Sequence, residues 1–500
     1  MSLKFRRFLY TFFILLFFVL APLLIIYAQG YRFDFSRNRM VKTGGLSIDS
    51  APRNAQVYLN GNYTEPNWIE RRLVFFKTFF GMRKMGGDTP AIFQNLIPDT
   101  YQITVEKDGY YPWSKKIDIY AEQVSFLEDI YMFLKEPTVT NLNQWTQIAD
   151  TWPSADKRYL AIAGLKDGKW NLEIADLTKD QISVVYRSAQ KPLTCIWNNA
   201  NDKLLLTLNN QERVLIDMTL PGEDKSSFLS AFDFGADKKI SLTHLTWSQD
   251  DRHLLYGWEG LKIYALNTKD KTASLALDLN ALENPTEKNS ADQYRKIYDL
   301  SVKNGRFWIL GATVEGNVLT SLKTNGDDWQ SVLDNLAGSA DYRFASWQNN
   351  LLTLYNPIKF QLAIINPAPT NQGQALLTEN FAQGWSWQDN APQLLYWDEH
   401  EIGILNFDIK NEYQPVKKEI LGRYSQTLKS ATWFANNKYI IFATDTTLNY
   451  LEIDARDHRN AQAVQGLTSL SSLTPAGAGS AFMVGSMGTD ETGLYKIKLQ

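Results

Sequence analysis

Five hundred residues are more than one ordinary domain holds, and a hydrophobic content of 44% is ample for buried cores. A net charge of −3 argues against nucleic acid as the main partner, and a single cysteine, Cys195, leaves no intramolecular disulfide to form. Residues 1–135 carry 17 Lys and Arg against 12 Asp and Glu, which leaves 34 and 42 for the remainder, so a basic head precedes an acidic body.

Residues 1–7, with Lys4, Arg6 and Arg7, read as a cytoplasmic tail before an uncharged apolar run from Phe8 to Ala28. At 1.5 Å per residue that run spans about 31 Å, the thickness of bilayer hydrocarbon. Pro22 is tolerated within a membrane helix. The expectation is a single-pass anchor of the cell membrane, with the lipid bilayer as its partner and the later domains outside the cytoplasm. A cleaved signal peptide is the alternative, because Ala28-Gln29-Gly30 resembles a small-residue cleavage site. Arg32, Arg37, Arg39 and Lys42 follow in a juxtamembrane linker, residues 29–43, and nearly balance the positive charge across the run. Long domains cross regardless of such charges, so an outward C-terminus stands.

Residues 44–135 read as a small β-sandwich. An alternating strand leads to a turn at Pro52-Arg53-Asn54, and a second strand, Gln56–Leu59, ends at Asn60-Gly61. Asn-Gly marks a hairpin because both residues accept positive φ. Ser50, Pro52, Ala55, Asn60-Gly61, Thr89-Pro90, Leu96, Pro98, Tyr101, Gly109-Tyr110 and Trp113 occur in an order that resembles the PEGA domain. That resemblance implies a non-catalytic, extracytoplasmic module of the bacterial cell envelope. Asn54 and Asp99 stand where the family usually has glycine, and both tolerate a left-handed backbone better than other residues.

An insertion, residues 62–88, interrupts this domain. Arg71, Arg72, Lys77, Arg83 and Lys84 interleave there with Phe75, Phe76, Phe79 and Phe80, opposed by Glu70. Basic residues among aromatics suit contact with a membrane surface or a partner. A long hairpin whose phenylalanines cover the sandwich is the plainer alternative.

Residues 136–500 are organised by a repeat. An aromatic residue is followed seven positions later by a strand at Trp152–Tyr159, Trp197–Leu204, Trp387–Leu394 and Trp433–Ile440. The stretch from Trp247 matches closely, Trp347–Leu351 is a shortened copy, and Leu300–Phe307 carries leucine in place of tryptophan. With a weak last copy near Leu473 this makes eight units, about 40 to 53 residues apart, the period of a β-propeller blade. The expected fold class is therefore all-β: a transmembrane helix, the small sandwich, then a propeller of eight blades, or seven if degenerate units merge. One bulky ring per blade would fill the wedge between neighbours. The units resemble the TolB-like and WD-repeat families, with Asp156, Asp202 and Asp251 in the first turn supplying side-chain bonds to backbone amides. The last unit lacks a fourth strand of its own. Part of Thr138–Gln147 is expected to supply it and so join the two ends of the repeat array.

No catalytic, cofactor or metal site is expected. His244, His253, His400 and His458 lie at no metal-ligand spacing. The acid–histidine cluster around His400 falls in a turn, and there is no nucleophile elbow, phosphate loop or EF-hand. The functional expectation is a membrane-anchored, extracytoplasmic scaffold whose propeller binds an envelope protein or cell-wall glycan. The alternative is a membrane-tethered propeller hydrolase with two carboxylates converging in the central channel. A component of a larger envelope-assembly complex is a third reading.

Overall fold

In the computed structural model, the described residues are 3–35, 37–63, 84–85, 87–234, 242, 244–281, 294–314, 316–334, 339–348, 350–367, 375–379, 381–389, 391–407, 417–466, 469–476, 479–486 and 492–500. The chain divides into two compact units. The first comprises Met1–Pro137 with Tyr450–Val464 and Leu499–Gln500, and the second Thr138–Asn449 with Gln465–Lys498.

The first unit begins with a helix, Leu3–Ala28, interrupted by nothing but Pro22. Its segment Phe5–Ala28 has a mean hydropathy of 2.8 and is long and apolar enough to cross a membrane. Gly30, at φ +85°, turns the chain into a two-stranded hairpin, Tyr31–Asp34 and Arg39–Lys42. Two four-stranded sheets follow. Gly44–Ala51 is flanked by Val124–Tyr131 and Ala91–Leu96, with Lys84–Met85 at the edge. Gln56–Leu59 lies between Asn62–Tyr63 and Thr100–Glu106, with Trp113–Asp118 beyond. Alternation along these strands buries Leu46, Ile48, Val57, Ile103, Val105 and Trp113 in one core.

The residues that carry the sequence resemblance meet at the sandwich edge. Ser50 Oγ lies 2.6 Å from Thr89 Oγ1, which also accepts the Ala55 amide at 3.1 Å. Asn60 and Gly61 both take positive φ, as the hairpin turn requires. Asn54 is left-handed at φ 59°, so asparagine takes the place of a glycine there. Asp99 behaves otherwise: its backbone is not left-handed, and its carboxylate accepts the Thr100 amide at 2.9 Å. Gly44 is required for a different reason, since a Cβ there would run into the Tyr120 carbonyl.

The second unit is built from four-stranded antiparallel sheets that resemble propeller blades. In chain order their first strands are Gln147–Pro153, Pro192–Trp197, His244–Trp247, Lys296–Lys303, Arg343–Gln348, Gly384–Trp387 and Leu428–Phe434, here sheets one to seven. Sheet eight is Ser469–Ala476, Ser480–Ser486, Thr492–Lys498 and, as its outer strand, Thr138–Trp145. The strand expected to join the two ends is therefore in place, antiparallel to Thr492–Lys498 from Thr138↔Lys498 to Trp145↔Thr492. The first strand of sheet one lies against that of sheet two, and the same holds from two to three, three to four, four to five, six to seven and seven to eight. The first strand of sheet eight also lies against that of sheet one.

Two local expectations are corrected. Leu300 pairs with Ile309, and it is Val302 that pairs with Phe307, the place tryptophan takes in Trp197↔Leu204. Val302↔Phe307 encloses four residues, around the tight turn Asn304-Gly305, where Trp197↔Leu204 encloses six, so a seven-residue spacing misplaced the equivalent residue. In the first turns, Asp156 and Asp251 do accept amides two residues on, from Arg158 and His253. At Asp202 that work passes to Asn198, whose Oδ1 takes the Asp202 and Lys203 amides, while Asp202 pairs with Arg252 at 3.0 Å.

Candidate functional site

The repeat tryptophans fasten neighbouring sheets. Trp197 Nε1 donates to the Trp152 carbonyl at 3.0 Å, Trp247 to that of Ile196 at 3.0 Å, and Trp433 to that of Ser386 at 2.8 Å. Trp347 and Trp387 donate to side-chain hydroxyls, Ser301 at 3.1 Å and Thr353 at 2.9 Å. Each bond reaches back to the preceding sheet. Trp247 and Trp433 are fully buried, and Trp152, Trp197, Trp347 and Trp387 are half-buried. An indole N–H buried against a neighbour needs an acceptor, so these contacts set angle as well as depth. Trp145, on the joining strand, is larger than its surroundings would admit but for Gly164 of sheet one. A Cβ at Gly164 would fall inside its ring. Its Nε1 donates to buried Glu173 at 3.0 Å, and Asn143 donates to the other oxygen at 2.8 Å. A cavity of about 550 Å³ opens beside this pair, with Lys169, Arg187 and Ile182 on its walls.

Of the histidines, His400 sits in an exposed turn, where Asp398 accepts the amides of His400 and Glu401 at 2.7 and 2.6 Å. That is turn chemistry. His244 stacks on Trp258 at 5.2 Å, and burial, then Arg343 and Arg213, hold its imidazole below the ordinary value. Burial pushes the Cys195 thiol up, away from reactivity. Among the described residues no group of three or more His, Cys, Asp or Glu is placed to hold a metal ion.

Asp299, on the first strand of sheet four, is a carboxyl group with altered chemistry. Burial pushes it up to about 6, against the pull of the Phe344 and Leu300 amides and of Arg343. Those two amides occupy its oxygens at 2.8 and 3.0 Å.

Sheet five presents a different kind of surface. Its second and third strands, Leu351–Asn356 and Gln361–Ile365, are joined by a turn on which Ile358 is 71% and Phe360 47% exposed. Buried Asn356 fixes that turn by accepting the amides of Ile358 and Lys359, both at 3.0 Å. The connection from Ala375–Glu379 to sheet six leaves at the same end, as antiparallel order demands, and Phe381 there is 71% exposed. Buried Ala382 and the Tyr355 hydroxyl, 3.1 Å from the Ala382 carbonyl, hold that connection. Phe360 and Phe381 both have left-handed backbones, φ 54° and 66°, an uncommon conformation for a bulky residue and a costly one. Sequence reasoning missed all three. Their one signal was an aromatic residue in "NPIKF", where a turn is expected to be polar.

Arg71, Arg72, Phe75, Phe76, Lys77, Phe79, Phe80 and Arg83, the candidate contacts of the insertion, lie outside the described residues. Lys84 belongs to the edge strand Lys84–Met85.

Comparison with known proteins follows these divisions. A search of curated proteins finds no significant match to the chain. Among solved structures, the chain is similar to the Cps50 (Swd1) β-propeller domain of Myceliophteria thermophila, with 14% identity over 62% of this chain and 97% of that one, TM-score 0.35. It is similar to the C-terminal WD40 domain of Sif2, with 11% identity over 72% and 98%, TM-score 0.43. It is also similar to an oligogalacturonate lyase of Vibrio parahaemolyticus, with 11% identity over 65% and 92%, TM-score 0.38. In the first unit, residues 81–128 match a protein family, and over them the chain carries a PEGA domain.

Proposed function

We propose that this is a single-pass membrane protein whose second unit closes into an eight-bladed propeller and serves as a non-catalytic docking platform outside the cytoplasm. The helix Phe5–Ala28 supports the anchor, and the PEGA domain fits an envelope setting. The strand pairing of Thr138–Trp145 with Thr492–Lys498 supports ring closure.

The observation that carries the docking role is the triad Ile358, Phe360 and Phe381. Large apolar side chains on buried-anchored turns are held out to solvent at a backbone cost, which is the signature of a contact surface rather than of packing. Aromatic anchors with rigid backing suit a protein partner, which desolvates them, better than a sugar. An envelope protein is therefore favoured over a cell-wall glycan.

The test is a photo-crosslinking residue at position 381 or 358 of the full-length protein in intact cells, with a control at Lys179, on the opposite end of sheet one. A discrete adduct at 381 and 358, absent at 179 and lost on Phe360→Ser, is the expected result. Equal labelling at all three positions, or none, would remove the platform reading.

A second reading, a tethered hydrolase, draws on Asp299, whose raised carboxyl is protonated further toward neutrality than an ordinary acid. Glycan turnover lost on Asp299→Asn would establish it.

A further inference from the structure

The hairpin directly after the apolar helix has a face that is apolar at its tip, while at the helix end of that face Lys42 pairs with Glu122. Phe33 and Met40 are cross-strand partners, so their side chains share one face, and both are exposed. Phe35 is 87% exposed and stacks edge-on against Phe33 at 5.0 Å. Tyr31 and its cross-strand partner Lys42 lie two positions back on that same face. A two-stranded sheet is marginal in water without a second layer, and among the described residues this one pairs with no further strand.

Its position is fixed rather than tethered. The helix ends at Ala28 and the hairpin starts at Tyr31. Arg32 Nη1 donates to the Tyr27 carbonyl at 2.9 Å, and its guanidinium lies 3.5 Å from the centre of the Tyr27 ring. The Gly30 carbonyl accepts both the amide and the hydroxyl of Thr43, at 3.0 and 2.8 Å, which clamps the far end of the hairpin to the helix terminus. At the other end, Arg37 donates to the Pro98 carbonyl at 3.2 Å and so ties the hairpin tip to the sandwich.

We infer that the face carrying Phe33, Phe35 and Met40 is seated in the headgroup layer of the same bilayer that the helix crosses. The inference rests on the anchor reading of the helix. A rigid element that starts three residues past a membrane span lies at the depth where aromatic rings concentrate in membrane proteins. Apolar and aromatic side chains match that layer chemically, because their carbon packs on the acyl boundary. The bilayer then supplies the layer the hairpin lacks. The consequence is mechanical: with Arg32, Thr43 and Arg37 linking helix, hairpin and sandwich, the first unit is held at a set angle to the membrane rather than swinging on a linker.

The test uses the full-length protein with Cys195→Ala, reconstituted in phosphatidylcholine vesicles. A nitrobenzoxadiazole label is placed in turn at Phe35→Cys, at Phe17→Cys in the middle of the helix, and at Asp108→Cys. Asp108 lies at the far end of Thr100–Glu106 from Pro98, about 23 Å away along the strand. Quenching by brominated acyl chains reports lipid contact, and quenching by iodide reports water. The expected result is lipid quenching at 17 and 35, with several-fold weaker iodide quenching at 35 than at 108. Lipid contact at 17 with iodide access at 35 equal to that at 108 overturns the inference and leaves the anchor standing. Absence of lipid contact at 17 overturns the anchor itself. Protection at 35 without lipid quenching means that protein covers the face, which also overturns it. Met40→Cys repeats the measurement should Phe35→Cys disturb the hairpin.

Discussion

Lys115, with no solvent exposure, holds its ammonium 3.1 Å from Glu452 Oε2, although the two residues come from distant parts of the chain. Both belong to the first unit. The remaining valences are filled: the Asp454 carbonyl accepts from Lys115 at 2.7 Å, and Trp113 Nε1 and Asn460 Nδ2 donate to Glu452 at 3.2 and 2.7 Å. A buried pair of this kind adds specificity of placement more than net stability. Lys115→Met should destabilise the first unit by about 3–5 kcal/mol, because Glu452 is left as a buried, uncompensated charge. Lys115→Met with Glu452→Gln should recover most of that loss. Urea unfolding followed by a probe on the sandwich checks both, and an additive double variant would contradict the pairing.

Asp299 makes stability depend on pH in a stated direction. Its carboxyl has an ordinary value of 3.8 and sits at about 6 in the folded protein. Between those values the folded chain keeps the proton and the unfolded chain releases it. Stability contributed by the protonated group is thus fully present below about 4 and is lost as pH rises to about 6, a change of up to about 3 kcal/mol. Asp299→Asn keeps an acceptor for the Phe344 amide and should flatten this part of the profile. Chemical denaturation of both proteins from pH 4 to 7 is the measurement, and parallel curves would contradict the assignment.

The indole bonds predict a graded series at Trp433. Trp433→Phe keeps the ring and removes the donor to Ser386, at a cost of about 1 kcal/mol. Trp433→Ala also opens a cavity and should cost about 3–5 kcal/mol. Thermal unfolding checks both: no loss in Trp433→Phe would show that the hydrogen bond contributes nothing, and equal losses would show that the ring packing does not.

At the seam, deletion of residues 138–147 should abolish cooperative unfolding of the second unit, since Thr492–Lys498 loses its partner strand. Gly164→Val should act in the same direction by displacing Trp145. An unchanged melting temperature in either variant would show that the seam contributes nothing.

Much of the second unit was legible because its repeat is a local signal. Trp197, Trp387 and Trp433 each precede a strand by the same interval, and the spare β-prone residues before Trp152 pointed to the joining strand. Where the turn is tighter, as at Asn304-Gly305, the seven-residue spacing named Leu300 instead of Val302. The contacts of Lys115 were invisible for another reason. Nothing near it in sequence hints at Glu452, and a lone lysine in an alternating strand reads as solvent-facing. Ile358, Phe360 and Phe381 escaped because exposed apolar residues follow no period.

The pairing of Thr138–Trp145 with Thr492–Lys498 has a consequence for biosynthesis. Bringing together ends about 350 residues apart costs on the order of 5 kcal/mol in chain entropy, and no part of it can be recovered until residue 498 has left the ribosome. Thr138–Trp145 must therefore wait without its partner strand while the intervening sheets are made. A nascent chain stalled anywhere upstream would be exposed to proteases and to strand exchange with its neighbours.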